Sequence, residues 1–185
     1  WVSIDRWMKA LAKAQQSGKT SAIGVSNYTL DQMLYARDAL AQHGVPLTSN
    51  QVEYSLLCRK PETSGLLDAC KNLGLTLIAY SPLGMGLLSG KYSSSSLPAG
   101  THRKKYTSEY IAKIQPLMSR LKEIGHQRGG KSLSQVALNW VICKGAVPIP
   151  GVKNKAQATE IIGAIGWHLT PVEMNALDHL SNSIQ

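Results

Sequence analysis

The chain has 185 residues, 43% of them hydrophobic, and carries 20 Lys and Arg against 11 Asp and Glu for a net charge of +9. That length and apolar content can bury one sizeable core, so the chain reads as one domain or part of one. No window approaches the ~18 consecutive apolar residues of a membrane span, and no charged, then apolar, then small-residue stretch marks a secretory signal.

The chain opens on Trp1 rather than Met, which reads as a start left by processing or truncation. A basic excess favours anionic partners, but the charges are scattered, and the one dense run is His102-Arg103-Lys104-Lys105. That run suits either a solvated loop or a phosphate contact. No nucleic-acid motif appears, and aromatic residues do not interleave with the basic ones as single-strand binders require, so nucleic acid is not expected as a partner, nor is a membrane. Cys58, Cys70 and Cys143 are odd in number and far apart, which excludes a metal motif or a disulfide framework. Each reads as a small buried hydrophobe. A reducing compartment, cytoplasm or plastid stroma, is expected rather than secretion.

Strand and helix patterns alternate along the chain. Trp7, Ala10, Leu11 and Ala14 recur at helical spacing and stop at Gly18, a C-terminal cap. Residues 21–26 read as a short buried strand, and Thr29 with Gln32 forms a capping box opening a helix that ends at Gly44. Residues 49–54 are the second strand. Pro61 and Glu62 open one helix through Leu66, Leu67 and Cys70 to Gly74, and residues 75–80 form the third strand, apolar on both faces as buried parallel strands are. A loop-like excursion over 93–100 precedes a helix marked by Ile111, Ile114, Leu117, Leu121 and Ile124, with a kink expected at Pro116. Ser132 and Gln135 cap a helix through Val136, Leu138 and Trp140. Residues 146–149 are the fourth strand, Asn154 opens a helix toward Ile162, and Thr170-Pro171 opens the last.

Strand–helix repetition at spacings of about 25–30 residues implies parallel strands joined by right-handed crossovers. Four strands do not close a barrel of eight; an open half would leave two strand edges uncovered. A complete doubly wound sheet is the alternative, although no glycine-rich phosphate fingerprint follows an early strand.

Four segments carry chemistry. Gly24-Val25-Ser26-Asn27-Tyr28 ends the first strand, where Ser26 and Asn27 offer polar groups or serve as turn and cap residues. In Asn50-Gln51-Val52-Glu53-Tyr54, an amide and a carboxylate inside an apolar strand need partners; Gln51 could pair with a carboxamide ligand or with its own structure. The segment from Tyr80 to Tyr92 (YSPLGMGLLSGKY) puts an aromatic residue at a strand end, then a glycine-rich turn with exposed amides, then Lys91. Such a turn can cradle a pyrophosphate while Tyr80 stacks on a planar ring. Lastly, Pro148 to Lys155 runs from strand into helix, where a helix N-terminus with lysines favours a phosphate. Glu160 lies two turns further on, and read alone it suits a solvated face.

The order GVSNY, NQVEY, AYSPLGMGLLSGKY, VPIPGVKN, then Gln157 and Glu160, resembles the aldo-keto reductases, over Trp1 to about Leu180. It is most similar to the branch with an extended loop after the seventh strand, which includes potassium-channel β-subunits and many plant and bacterial reductases. The resemblance implies an α/β fold, the C-terminal half of a (β/α)8 TIM barrel, binding NADP(H) without a Rossmann fold. It assigns Ser26, Asn27 and Gln51 to the nicotinamide carboxamide, and Tyr80 to the ring. The pyrophosphate falls to Ser81, Pro82, Leu83, Gly84, Gly86 and Lys91. Gly151, Lys153 and Gln157, with Glu160, hold the adenosine 2′-phosphate end, and Arg103 adds a loop contact. The activity implied is reduction of a small-molecule aldehyde or ketone.

The chain departs from the pattern twice. Ile161 stands where the family has an adenine-binding Asn, and the family's catalytic Asp, Tyr, Lys and His precede the matching region, so no catalytic residue is assigned. A non-catalytic half-barrel that binds cofactor or a partner protein is the alternative reading, with self-association of uncovered strand faces.

Overall fold

A computed structural model describes residues 2–93 and 107–184; the basic run at 102–105 and most of the 93–100 excursion lie outside them. The described elements are α1 (Ile4–Gln16), β1 (Ile23–Ser26), α2 (Leu30–Ala41), β2 (Leu47–Glu53), α3 (Lys60–Thr63), α4 (Leu66–Asn72), β3 (Thr76–Tyr80), a 3₁₀ turn (Gly84–Ser89), α5 (Ser108–Gln127), α6 (Leu133–Cys143), β4 (Val147–Ile149), α7 (Lys155–Ile162) and α8 (Pro171–Asn182). The strands form one parallel sheet in the order β1-β2-β3-β4, the expected α/β arrangement. No described helix is long and apolar enough to cross a membrane.

Strand periodicity sorts the side chains onto two faces. Ile23, Val25, Asn50, Val52, Leu77 and Ala79 are buried. On the other face, register aligns Ser26 with Gln51, Gln51 with Ile78 and Ile78 with Val147 in one row. Glu53, Tyr80 and Ile149 align in the next. These two rows are half-buried to exposed. A register shift between Ile23 and Gly24 sets Thr48 out of step, and its hydroxyl donates to the Ile23 carbonyl at 2.7 Å.

Four expectations are corrected. The buried stripe of α1 comprises Met8 and Ala12, with Ile4 and Leu11 packed against the core, whereas Trp7 is 53% exposed; the i, i+4 stripe that contains Met8 wins over the one that contains Trp7. The helix read from Pro61 to Gly74 is two, α3 and α4, because Gly65 takes a left-handed φ of 74° between them. The strand read from Ser49 begins at Leu47, which pairs with Ile23. α5 runs as one 20-residue helix through Pro116. Cys70 is buried as read, but Cys58 and Cys143 are only half-buried.

α8 is docked by a half-buried polar cluster. The Arg59 guanidinium donates to both Glu62 carboxylate oxygens at 2.8 and 2.6 Å, and to Asn182 Oδ1 at 2.8 Å. Lys144 Nζ bridges Glu62 and Asp178 at 2.9 and 2.7 Å, while Tyr54 Oη and Trp140 Nε1 donate to Glu62 and Asp178. Both cations also lie over the Trp140 ring, 5.6 and 5.2 Å from its centroid. Burial pushes the Glu62 carboxyl up, yet hydrogen bonds from Arg59, Lys144 and Tyr54 outweigh it and hold the pKa at about 2. At the other end of α8, the Arg128 guanidinium on Glu173 holds that carboxyl at about 2 as well.

Candidate functional site: a groove at the strand ends

Parallel strands share a direction, so Ser26, Gln51, Tyr80 and the chain leaving β4 toward Gly151 fall at one end of the sheet. Two cavities open there. A groove of about 900 Å³ is lined by nine of the fourteen residues singled out from the sequence: Ser81, Pro82, Leu83, Gly86, Lys91, Gly151, Lys153, Gln157 and Glu160. A cleft of about 300 Å³ takes Asn27 and Tyr80. Ser26, Gln51 and Gly84 line neither. Ser26 donates its hydroxyl to the Gln51 carbonyl at 3.0 Å, and the Asn27 amide donates to the same oxygen at 2.8 Å. Among the described residues no hydrogen bond engages the Gln51 carboxamide, which faces the half-buried side of the sheet. Arg103 lies outside the described residues.

Backbone strain concentrates here. Asn27, Ser81 and Met85 have φ of 58°, 50° and 54°, and they are the non-glycine residues with positive φ among those described. Each such conformation costs of order 1–3 kcal/mol and persists where the surroundings impose it, characteristically at ligand sites. Asn27 follows β1, Ser81 follows β3, and Met85 lies inside the 3₁₀ turn beside Gly86 at φ 92°. Gly84 and Gly86 take left-handed φ of 54° and 92°, which favours glycine at both. A Cβ on Gly84 would strike Leu57, and one on Gly86 would lie 2.9 Å from Lys91 Nζ, so the lysine ammonium rests on the turn. The same ammonium lies 4.7 Å from the Tyr92 ring centroid.

Across the groove, Asn154 caps α7, accepting from the Gln157 amide at 3.0 Å, while the Gln157 side chain accepts from the Lys153 amide at 2.8 Å. The first-turn amides of Lys155 and Ala156 have no carbonyl within the helix to bind, and lysines flank them. A cationic glycine-rich turn therefore faces a cationic helix N-terminus across a wide groove, an arrangement suited to an extended anion with more than one phosphate. Among the described residues no cluster of His, Cys, Asp or Glu could hold a metal ion.

Sequence reasoning missed Tyr92, Ser134 and Val152 in the groove, and Lys60, Ser64 and Cys58 in the cleft. Tyr92 closes a motif already quoted, and its place beside Lys91 was the available signal. Ser134 was hidden inside an apolar helix, and Cys58 has no spacing that would mark it.

Residues 1–182 match the Aldo/keto reductase family. The chain is 44% identical over 169 residues to the chloroplastic pyridoxal reductase of Arabidopsis thaliana, covering 91% of this chain and 46% of that protein. It is 34% identical over 186 residues to the L-glyceraldehyde 3-phosphate reductase of Escherichia coli strain K12, covering 97% and 51%. Among solved structures, the glycerol dehydrogenase of Gluconobacter oxydans superposes with a TM-score of 0.87 at 27% identity, over 97% of this chain and 54% of that one. The chain belongs to the aldo-keto reductase family, whose members are oxidoreductases. Its four parallel strands and helices match part of that family's TIM barrel, and it spans about half the length of the curated relatives it matches.

Proposed function

We propose that the chain forms the NADP(H)-holding part of an aldo-keto reductase that reduces an aldehyde or ketone to an alcohol. The observation that carries this reading is the groove: Lys91 lying on a strained glycine turn, opposite Lys153 and the capped N-terminus of α7. The residues fit a dinucleotide phosphate. Gly84 and Gly86 let the turn take left-handed φ of 54° and 92° beside the groove, and Lys91 supplies the counter-charge to a pyrophosphate there. Lys153 and the α7 amides fit the 2′-phosphate, with Gln157 and Glu160 beside the adenosine. Tyr80 presents a ring to the nicotinamide, and Ser26, Asn27 and the uncommitted Gln51 carboxamide suit its amide. When bound, the nicotinamide supplies the hydride that the carbonyl accepts.

The residues of this chain bind and orient the cofactor in this reading; the proton for the developing alkoxide needs a donor within hydrogen-bond reach of the substrate. The Ser26–Gln51–Ile78–Val147 row is then covered by the remainder of a barrel, in a reducing compartment such as cytoplasm or plastid stroma. One relative, a Schizosaccharomyces pombe aldo-keto reductase, carries NADP(+) in its name. Titrating NADPH and NADH against tryptophan fluorescence tests the reading: NADPH is expected to bind more tightly, and equal affinities would remove the assignment of Lys153.

A further inference from the structure

Among the described residues three capping boxes occur, at Thr29–Gln32, Ser132–Gln135 and Thr170–Glu173, and the middle one does more than cap. The Ser132 hydroxyl accepts from the Gln135 amide at 3.2 Å and also donates to Glu160 Oε1 at 2.9 Å. The Gln135 carboxamide accepts from the Ser132 amide at 2.9 Å and donates through Nε2 to the Glu160 carbonyl at 2.7 Å. Both residues thus use one function within α6 and a second across to α7. The crossing requires Gly163: its φ of −65° suits any residue, but a Cβ there would collide with the Gln135 amide nitrogen.

α7 needs such a hold, because none of its eight residues is buried. Helices in proteins draw most of their stability from packing an apolar face, and α7 has little to pack. Yet it carries Gln157 and Glu160 into the groove and, at its N-terminus, Lys153. We propose that Ser132, Gln135 and Gly163 are positioning residues for the adenosine end of the cofactor site: a capping box used as a clamp that fixes the Glu160 carboxylate and the α7 N-terminus across the groove. This rests on the reading of the groove as a cofactor site.

Substitutions separate the clamp from the cap. Aspartate caps helices as well as serine does, but its carboxylate cannot donate to Glu160 and repels it. Threonine keeps both functions. Adenosine 2′,5′-bisphosphate, which probes the adenosine end alone, is titrated calorimetrically against the 185-residue protein, with thermal melting alongside. Ser132→Asp and Gly163→Ala are expected to weaken binding roughly tenfold, Ser132→Thr to bind as wild type, and Thr170→Ala to lower the melting temperature without changing affinity. Wild-type affinity in both Ser132→Asp and Gly163→Ala would reduce the box to an ordinary cap and overturn the clamp. Equal weakening in Thr170→Ala would assign the effect to general stability and overturn it too. A wild-type protein that does not bind the bisphosphate would instead remove the cofactor reading, and the inference with it.

Discussion

Two corners of this molecule hold dense sets of polar side chains, and they are built in opposite ways. At the α3–α6–α8 corner, Arg59, Glu62, Lys144, Asp178, Tyr54 and Trp140 satisfy one another in a half-buried cluster. At the groove, Lys91, Lys153 and the first-turn amides of α7 face open space across glycine turns. Charges that answer each other report on architecture; charges of one sign aimed at a common void report on a ligand. The strained residues Ser81 and Met85 line the second corner, and Asn27 the neighbouring cleft.

The largest effect expected is on turnover. If the groove supplies binding but not the proton, the 185-residue protein should hold NADPH while oxidising it against 4-nitrobenzaldehyde at least about 10²-fold more slowly than a full-length family reductase. Comparable rates of absorbance loss at 340 nm would show that one of the groove's binding residues is itself a catalytic acid.

Glu62→Ala should loosen the paired corner, where Arg59 and Lys144 keep Asp178 as an acceptor, and cost about 1–3 kcal/mol in urea unfolding. The cofactor affinity of the folded protein should be unchanged, and a parallel loss of affinity would show that the corners are coupled. Acid should act on that corner and at the other end of α8. Glu62 and Glu173 titrate at about 2 in the folded chain and from 4.5 when unperturbed, so the unfolded state binds the extra protons. The stability they confer is present above pH about 4.5 and is lost as pH falls toward 2. Urea midpoints between pH 7 and 3 measure this loss, and its slope should flatten in Glu62→Gln.

At the groove, Lys153→Met should weaken NADPH by about 1 kcal/mol, or fivefold, and leave NADH unaffected; an equal loss for both cofactors would place the lysine away from the 2′-phosphate. The smallest effect is a gain. Ile161 lines the groove, and Ile161→Asn should tighten NADPH by about 1 kcal/mol if the amide reaches the adenine. Calorimetry showing no gain would assign Ile161 to packing.

The parallel strands, the helix stops at glycine and the caps at Thr29–Gln32 and Ser132–Gln135 were legible because each follows from local chemistry: short apolar runs, left-handed glycine, a hydroxyl three residues before an amide. The nine groove residues were legible through contiguous motifs. What lay hidden was long-range. Arg59 finds Asn182 and Asp178 more than a hundred residues away, and no spacing announces such a pairing. The stripe of α1 was misread because Trp7-Ala10-Leu11-Ala14 and Ile4-Met8-Leu11-Ala12 are equally helical, and only packing chooses between them. Ser132 and Gln135 were readable as a cap, but their second bonds depend on where α7 lies.

Pro148 sits at the centre of β4, a strand of three residues paired on one side with β3. Proline has no amide hydrogen, so the ladder that β4 can offer to a foreign strand is interrupted at its midpoint. A recruiting template for cross-β growth needs an unbroken run of donors and acceptors, and this edge cannot provide one. Crowded copies of the chain would meet through apolar side chains such as Val147 and Ile149, giving amorphous precipitate before ordered fibres, with little thioflavin fluorescence. Pro148→Val would restore one donor to this edge, while Pro150, two residues on, still interrupts it.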